Sequence, residues 1–115
     1  MRVGIDLVLI SRFENKQKSF FEKNFTNSEI EYASSKQNKA QTYAGMFACK
    51  EAFLKAIKKG IFNGIGLAEI EILHNNDGSP KLVLSKKIKK ENKIKKCAIS
   101  ISHDGDFAVA ICQIN

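Results

Sequence analysis

From Met1 to Leu9 the chain is built of small, β-branched and aliphatic residues, the pattern of a strand, broken in its middle by Asp6. Ser11 to Lys18 reads as the beginning of a first helix. A sharper start follows. Thr26-Asn27-Ser28-Glu29 is a capping box, in which the threonine hydroxyl and the glutamate carboxylate each take up an orphan backbone N–H; Phe25 and Ile30 flank it as a hydrophobic staple. The helix opened there is expected to run to about Ser34. Asn38 to Lys59 is the longest helical stretch, with Gly60 as its stop. Between Thr42 and Ile57 nearly every position is apolar or small, so this helix is expected to be central and covered on several sides. Its charged residues in that stretch, Lys50, Glu51 and Lys55, fall within an arc of roughly 140° on a helical projection.

Gly64 and Gly66 mark a turn. Ala68 to Leu73 and Lys81 to Leu84 then read as strands joined across Asn75-Asn76-Asp77-Gly78-Ser79-Pro80, a run of turn formers. A lysine-rich helix comes next. Cys97 to His103 and Phe107 to Ile114 are two further strands, linked at Asp104-Gly105, a hairpin signal. The last strand is apolar at every position but Gln113, more than one covered face requires. Helices and antiparallel strands without a βαβ alternation predict an α+β fold, a small antiparallel sheet packed against a long central helix. The 115 residues, without repeat or linker, suit one domain spanning 1–115.

Charge changes this picture in one place. Between Ser85 and Lys96 there are seven lysines and one acid, Glu91, so this segment carries nearly all of the formal net charge of +7. A run of this kind is ordinarily a solvated helix face. Three cysteines, Cys49, Cys97 and Cys112, are odd in number and form no CxxC pair. They suit small buried side chains in a reducing compartment rather than disulfides or a zinc site. No apolar run approaches the length of a membrane span. The stretch from Val3 to Ile10 carries Asp6 and lacks a small-residue cleavage site, so no signal peptide is expected and the cytoplasm is the expected location.

Candidate chemistry rests on four residues. Asp6 interrupts an apolar strand, Glu51 and Lys55 sit in a helix otherwise suited to burial, and His103 ends a strand of small and aliphatic residues. Each has an ordinary explanation: Asp6 as a helix cap, Glu51 and Lys55 as an i,i+4 ion pair, His103 as a turn histidine. Together, an acid from a strand, an acid from a helix and two basic groups make a phosphate–metal site. Magnesium takes one or two carboxylates and completes its shell with waters and substrate phosphate oxygens.

Gly4-Ile5-Asp6-Leu7-Val8 with Ile10 and Arg12, Phe47-Ala48-Cys49-Lys50-Glu51-Ala52-Phe53-Leu54-Lys55-Ala56, and Ser100-Ile101-Ser102-His103 resemble the signature segments of the holo-acyl-carrier-protein synthases. These are the short members of the 4′-phosphopantetheinyl transferase superfamily. Gly64-x-Gly66, Glu69 to Ile72 and Gly78-Ser79-Pro80 fall in the same order, so the resemblance covers essentially the whole chain. It implies that superfamily's fold, a homotrimer, coenzyme A as substrate, an acidic acyl carrier protein as acceptor, and a place in fatty acid synthesis. It implies Asp6 and Glu51 as Mg²⁺ ligands, Lys55 at the diphosphate, His103 at the coenzyme A phosphates, and Gly78 to Pro80 near the adenine. Arg12, with Lys16 beside it, would face the carrier protein. Lys50 would be a further coenzyme A contact or a structural residue. The general base is left open between Glu51 and a water held by the cation.

Two positions depart from the pattern. Met46 stands where relatives commonly carry an arginine for a coenzyme A phosphate, and Asp104 where they often carry threonine or serine. Both would weaken the phosphate pocket. The competing reading is a basic nucleic-acid-binding module resting on the lysine segment and eight phenylalanines. Only two arginines, Arg2 and Arg12, and no recognisable nucleic-acid-binding motif argue against it.

Overall fold

The structure, a computed structural model, describes residues 1–58 and 64–115. Strand β1 (Arg2–Leu9) leads into a 3₁₀ turn, Ile10–Phe13. Helices α1 (Lys18–Asn24), α2 (Asn27–Ser34) and α3 (Lys39–Ala56) follow. After a second 3₁₀ turn at Leu67–Glu69 come β2 (Glu71–His74), β3 (Pro80–Val83), α4 (Lys86–Glu91), β4 (Cys97–Asp104) and β5 (Phe107–Ile114). No helix among the described residues is long and apolar enough to cross a membrane.

The strands form two antiparallel sheets rather than one. β1, β5 and β4 lie in that order, and β2 pairs with β3 alone. Three boundaries differ from the sequence expectation. The first helix starts at Lys18, not near Ser11, because Ile10 and Phe13 bury themselves through a single 3₁₀ turn and the polar run after them offers no apolar face. β2 begins at Glu71 because Leu67–Glu69 coils first. α3 ends at Ala56, with Lys58 in a left-handed conformation; the expected stop at Gly60 lies outside the described residues.

α3 is the axis of the molecule. Ala44, Ala48, Ala52 and Ala56, one per turn, form a fully buried ridge of small side chains. β1 packs closely on this ridge: a Cβ at Gly4 would overlap the Ala52 carbonyl oxygen, so only glycine fits. β5 turns Ala108, Ala110, Cys112 and Ile114 into the same core. The opposite face of the sheet carries Val3, Ile5, Leu7 and Leu9 from β1 and Phe107 and Ile111 from β5, all exposed. Among the described residues nothing covers this apolar face. All three cysteines are free, and burial pushes the thiols of Cys49 and Cys112 up to about 12, as inert core side chains.

Candidate active site

The close approach of β1 to α3 sets Asp6 against the helix. Lys55 Nζ donates to Asp6 Oδ1 and to the Ile5 carbonyl, both at 3.0 Å. Glu51, one turn before Lys55, leaves its Oε1 buried with no hydrogen-bond partner among the described residues. Burial raises the Glu51 pKa, the nearby Asp6 carboxylate raises it further, and Lys55 and Arg12 act in the opposite direction. Arg12 reaches the same region from the 3₁₀ turn after β1, its guanidinium carbon 5.4 Å from the centre of the Phe47 ring. Two neighbouring carboxylates, one with an orphaned oxygen, make a donor set that suits a hard divalent cation. No cluster of three His, Cys, Asp or Glu exists among the described residues, so any such cation would draw the rest of its shell from water and a substrate phosphate.

On the β4 edge of the same sheet, with β5 between it and β1, lies a cleft of about 190 Å³ lined by Tyr32, Thr42, Gly45, His74, Gly78, Pro80, Ile101 and His103. His103, exposed near the end of β4, packs closely over Gly45 of α3: a Cβ there would come within 3.1 Å of His103 Nε2 and of Ile101 Cγ2, so either side chain would have to shift. Gly78 takes φ +86 and lets the β2–β3 loop turn back, so that Pro80 reaches the cleft wall. Larger hollows of about 400 Å³ lie around α4 and the segment after it, where Lys89, Ile94 and Lys95 line both, and none of the candidate residues lines either.

Asp6, Glu51, Lys55 and Arg12 are thus brought together, and His103 shares a cleft with Gly78 and Pro80. Two expectations are corrected. Lys50 is fully buried and gives its three protons to Glu29 Oε1 at 2.7 Å and to the carbonyls of Asn24 and Leu67, each at 2.9 Å. With no donor left and no exposure, it holds the fold and cannot contact coenzyme A. Met46, on the same inward ridge one turn earlier, is 1% exposed and does not line the cleft. An arginine at 46 would have to leave the core to meet a phosphate. Asp104 is exposed at the end of β4. Lys16 stands away from the carboxylates, its Nζ 4.9 Å from the centre of the Phe20 ring.

Sequence reasoning passed over Tyr32, Thr42, Gly45 and His74. The two aromatics come from distant segments and carry no local signal. Gly45, a glycine inside a helix, was a signal of close approach.

The family model of the 4′-phosphopantetheinyl transferase superfamily matches residues 2–112. The chain belongs to this superfamily. A holo-[acyl-carrier-protein] synthase of Geobacter sp. (strain M21) is 40% identical over 115 residues, covering 94% of this chain and 92% of that protein. The synthase of Clostridium beijerinckii is 43% identical over 113 residues, covering 94% and 91%. Among solved structures, the Helicobacter pylori synthase in complex with coenzyme A superposes with a TM-score of 0.89 at 34% identity, covering 98% of this chain and 99% of that one. The α+β architecture is therefore this superfamily's own.

Proposed function

We infer that this chain transfers 4′-phosphopantetheine from coenzyme A to a serine of an apo acyl carrier protein, giving the holo carrier and 3′,5′-ADP. The observation that carries the reading is the Asp6–Glu51 carboxylate pair, with its orphaned oxygen, set beside Lys55, in a chain matched along nearly its whole length by synthases of this activity. A nucleic-acid-binding role finds no support among these relatives.

Asp6 and Glu51 would hold Mg²⁺, which supplies positive charge where the phosphate oxygens gather charge during transfer. The rest of the chemistry is assigned to side chains. Lys55, with its side chain 55% exposed, is free to turn from Asp6 to the diphosphate and neutralise the departing 3′,5′-ADP. His103 binds a phosphate of coenzyme A at the cleft mouth. The carrier serine oxygen forms a bond to the phosphorus bearing pantetheine, the phosphorus–oxygen bond to 3′,5′-ADP breaks, and the serine proton leaves to Glu51. Catalysis of this kind is mostly in-line positioning and charge neutralisation.

Arg12 and Lys16 are exposed on the first 3₁₀ turn and just beyond it, and would steer an acidic carrier protein towards Asp6 and Glu51. The bare apolar face of β1 and β5 supports assembly as a homotrimer that covers Val3, Ile5, Leu7, Phe107 and Ile111. The unpaired cysteines fit the cytoplasm, and the carrier would serve fatty acid synthesis.

The deciding experiment incubates the protein with coenzyme A, Mg²⁺ and apo carrier protein and weighs the carrier by mass spectrometry. A phosphopantetheine adduct that fails to form in excess EDTA is expected; no adduct with Mg²⁺ present overturns the reading. Sedimentation of a fully active monomer would separately remove the trimer.

A further inference from the structure

We propose that α4 and the segment after it form a docking face for an anionic lipid surface, holding the protein to a membrane by charge and without insertion. This face lies outside the proposed active site and shares no residue with it.

Lys86, Lys89, Lys90 and Lys93 fall at three- and four-residue spacings, so they form one stripe along α4 and the turn that ends it. With Lys95 they line a hollow of about 410 Å³ whose one other lining residue is Ile94. All five lysines are exposed. Among the described residues none of them makes an ion pair, so five ammonium groups surround one hollow with no carboxylate to neutralise them. The helix ends with Lys93 in a left-handed conformation, φ 54, and with the Ile94 N–H donating to the Lys89 carbonyl at 2.8 Å. Glycine is the usual residue at such an end, because a side chain makes this backbone costly. Here a lysine occupies it and adds its charge to the stripe. The patch is also tied to the sheet. Arg2 Nη2 donates to the Lys93 carbonyl at 3.1 Å, and the Lys95 and Lys96 N–H groups donate to the Asn115 carbonyl at 2.7 and 3.0 Å.

The composition of this face selects its partner. From Ser85 to Lys96 there is neither an arginine nor an aromatic residue. Nucleic-acid faces combine lysine with arginine forks for phosphate and with rings for bases, and this segment has neither. Its two apolar residues, Ile88 and Ile94, are buried, so no side chain is left to enter acyl chains. What remains is a compact array of point charges, which suits the diffuse negative potential of phospholipid head groups. The position of the face fits as well. Lys96 leads into Cys97, which with Arg2 flanks Ile114 at one end of the three-stranded sheet; Leu9, Phe107 and Asp104 form the other end. Strands of eight residues set the two ends about 25 Å apart. Arg12 and His103 belong to the far end, so a chain held to a surface by α4 keeps them open to other molecules.

The test is co-sedimentation of the full chain with vesicles of phosphatidylcholine, alone or mixed with phosphatidylglycerol. Wild type should pellet with the mixed vesicles, stay in solution with phosphatidylcholine alone, and come off the mixed vesicles as salt is raised. Each lysine near an anionic surface contributes roughly fivefold to partitioning. The triple variant Lys86→Gln, Lys89→Gln, Lys93→Gln should therefore partition roughly a hundredfold more weakly. A matched triple, Lys16→Gln, Lys18→Gln, Lys23→Gln, removes the same charge from exposed positions elsewhere and should partition nearly as wild type. If the α4 triple is unstable, Lys90→Gln with Lys95→Gln repeats the test, with an expected loss of roughly twenty-fivefold. Wild type left in solution with the mixed vesicles at low salt overturns the proposal. So do wild-type partitioning by the α4 variants and an equal loss in both triples, which would make binding a matter of net charge. A DNA duplex that strips wild type from the vesicles at equal phosphate concentration would assign the face to nucleic acid. A KM for apo carrier protein raised by the α4 triple, with no vesicles present, would assign it to the carrier. Either result overturns the lipid assignment; an unchanged KM is expected.

Discussion

Two lysines five residues apart on α3, Lys50 and Lys55, each pair with a carboxylate, and the two pairs have opposite surroundings. Lys50 and Glu29 are both fully buried at 2.7 Å, and every valence is taken. Glu29 accepts from Lys50 and from the Thr26 N–H on one oxygen, and from the Ile72 N–H on the other. One carboxylate thus caps α2, neutralises α3 and anchors β2. Lys55 and Asp6 meet at 3.0 Å with the lysine more than half exposed, beside a second carboxylate that has an unpaired oxygen. The first network is closed and has nothing left to bind with. The second is under-satisfied, and the proposed site draws on that deficit. A buried ion pair alone says little about function; an ion pair with a spare carboxylate beside it says more.

The sharpest way to break the contrast is to remove a carboxylate from the open network. Asp6→Ala and Glu51→Ala should each abolish carrier modification while the circular dichroism and melting temperature stay close to wild type or rise. Full activity in either variant would refute the proposed metal site. Removing a partner from the closed network should do the reverse. Lys50→Met leaves Glu29 charged, buried and unpaired, a loss of about 3–5 kcal/mol in urea denaturation. The double variant Lys50→Met with Glu29→Gln should lose less than Lys50→Met alone, because no charge is then stranded. A smaller effect sharpens the comparison through pH. Glu51 has a raised pKa, so the folded chain holds a proton there that the unfolded chain has already released. The resulting penalty is absent below the ordinary carboxylate range, grows as pH rises through it, and is complete above the folded value. Glu51→Gln should therefore melt higher than wild type at pH 7.5 in EDTA, by a few degrees at most given its partial exposure, and show little gain at pH 4. Adding Mg²⁺ should raise the melting temperature of wild type and leave Glu51→Gln unmoved. The smallest change is expected at the rim. Arg12→Glu should raise the KM for carrier protein several-fold, with the difference shrinking as salt is added, and move the KM for coenzyme A little.

Local signals carried much of the fold. The Thr26–Glu29 capping box forms with both of its hydrogen bonds because everything it needs lies within four residues. The same sequence gave no hint that Glu29 would also neutralise Lys50, since that depends on how α2 and α3 pack. The charged arc on α3 was legible as an arc, but its sorting was not. Lys50 and Lys55 lie at its two ends, far enough apart around the helix that one enters the core and the other reaches β1. Met46 shares the inward ridge with Lys50 for the same reason. Asp6 and Glu51 lie near enough for one carboxylate to raise the pKa of the other, a proximity the sequence suggested by placing both in apolar settings. The stacking of Tyr32 on His74 in the cleft wall was invisible, because nothing local in α2 or β2 announces a partner so distant in sequence.

β1 has one further consequence. Its inward side carries Gly4 and Asp6, and its outward side is a row of aliphatic residues along an open sheet edge. A freshly folded chain therefore presents a sticky, ready-to-pair border, which in the proposed trimer stays bare until the copies meet. During that interval the protein is at its most vulnerable to mispairing, and slow or dilute assembly favours aggregates. The strand that delivers Asp6 thus also sets how exposed the protein is to mispairing after synthesis.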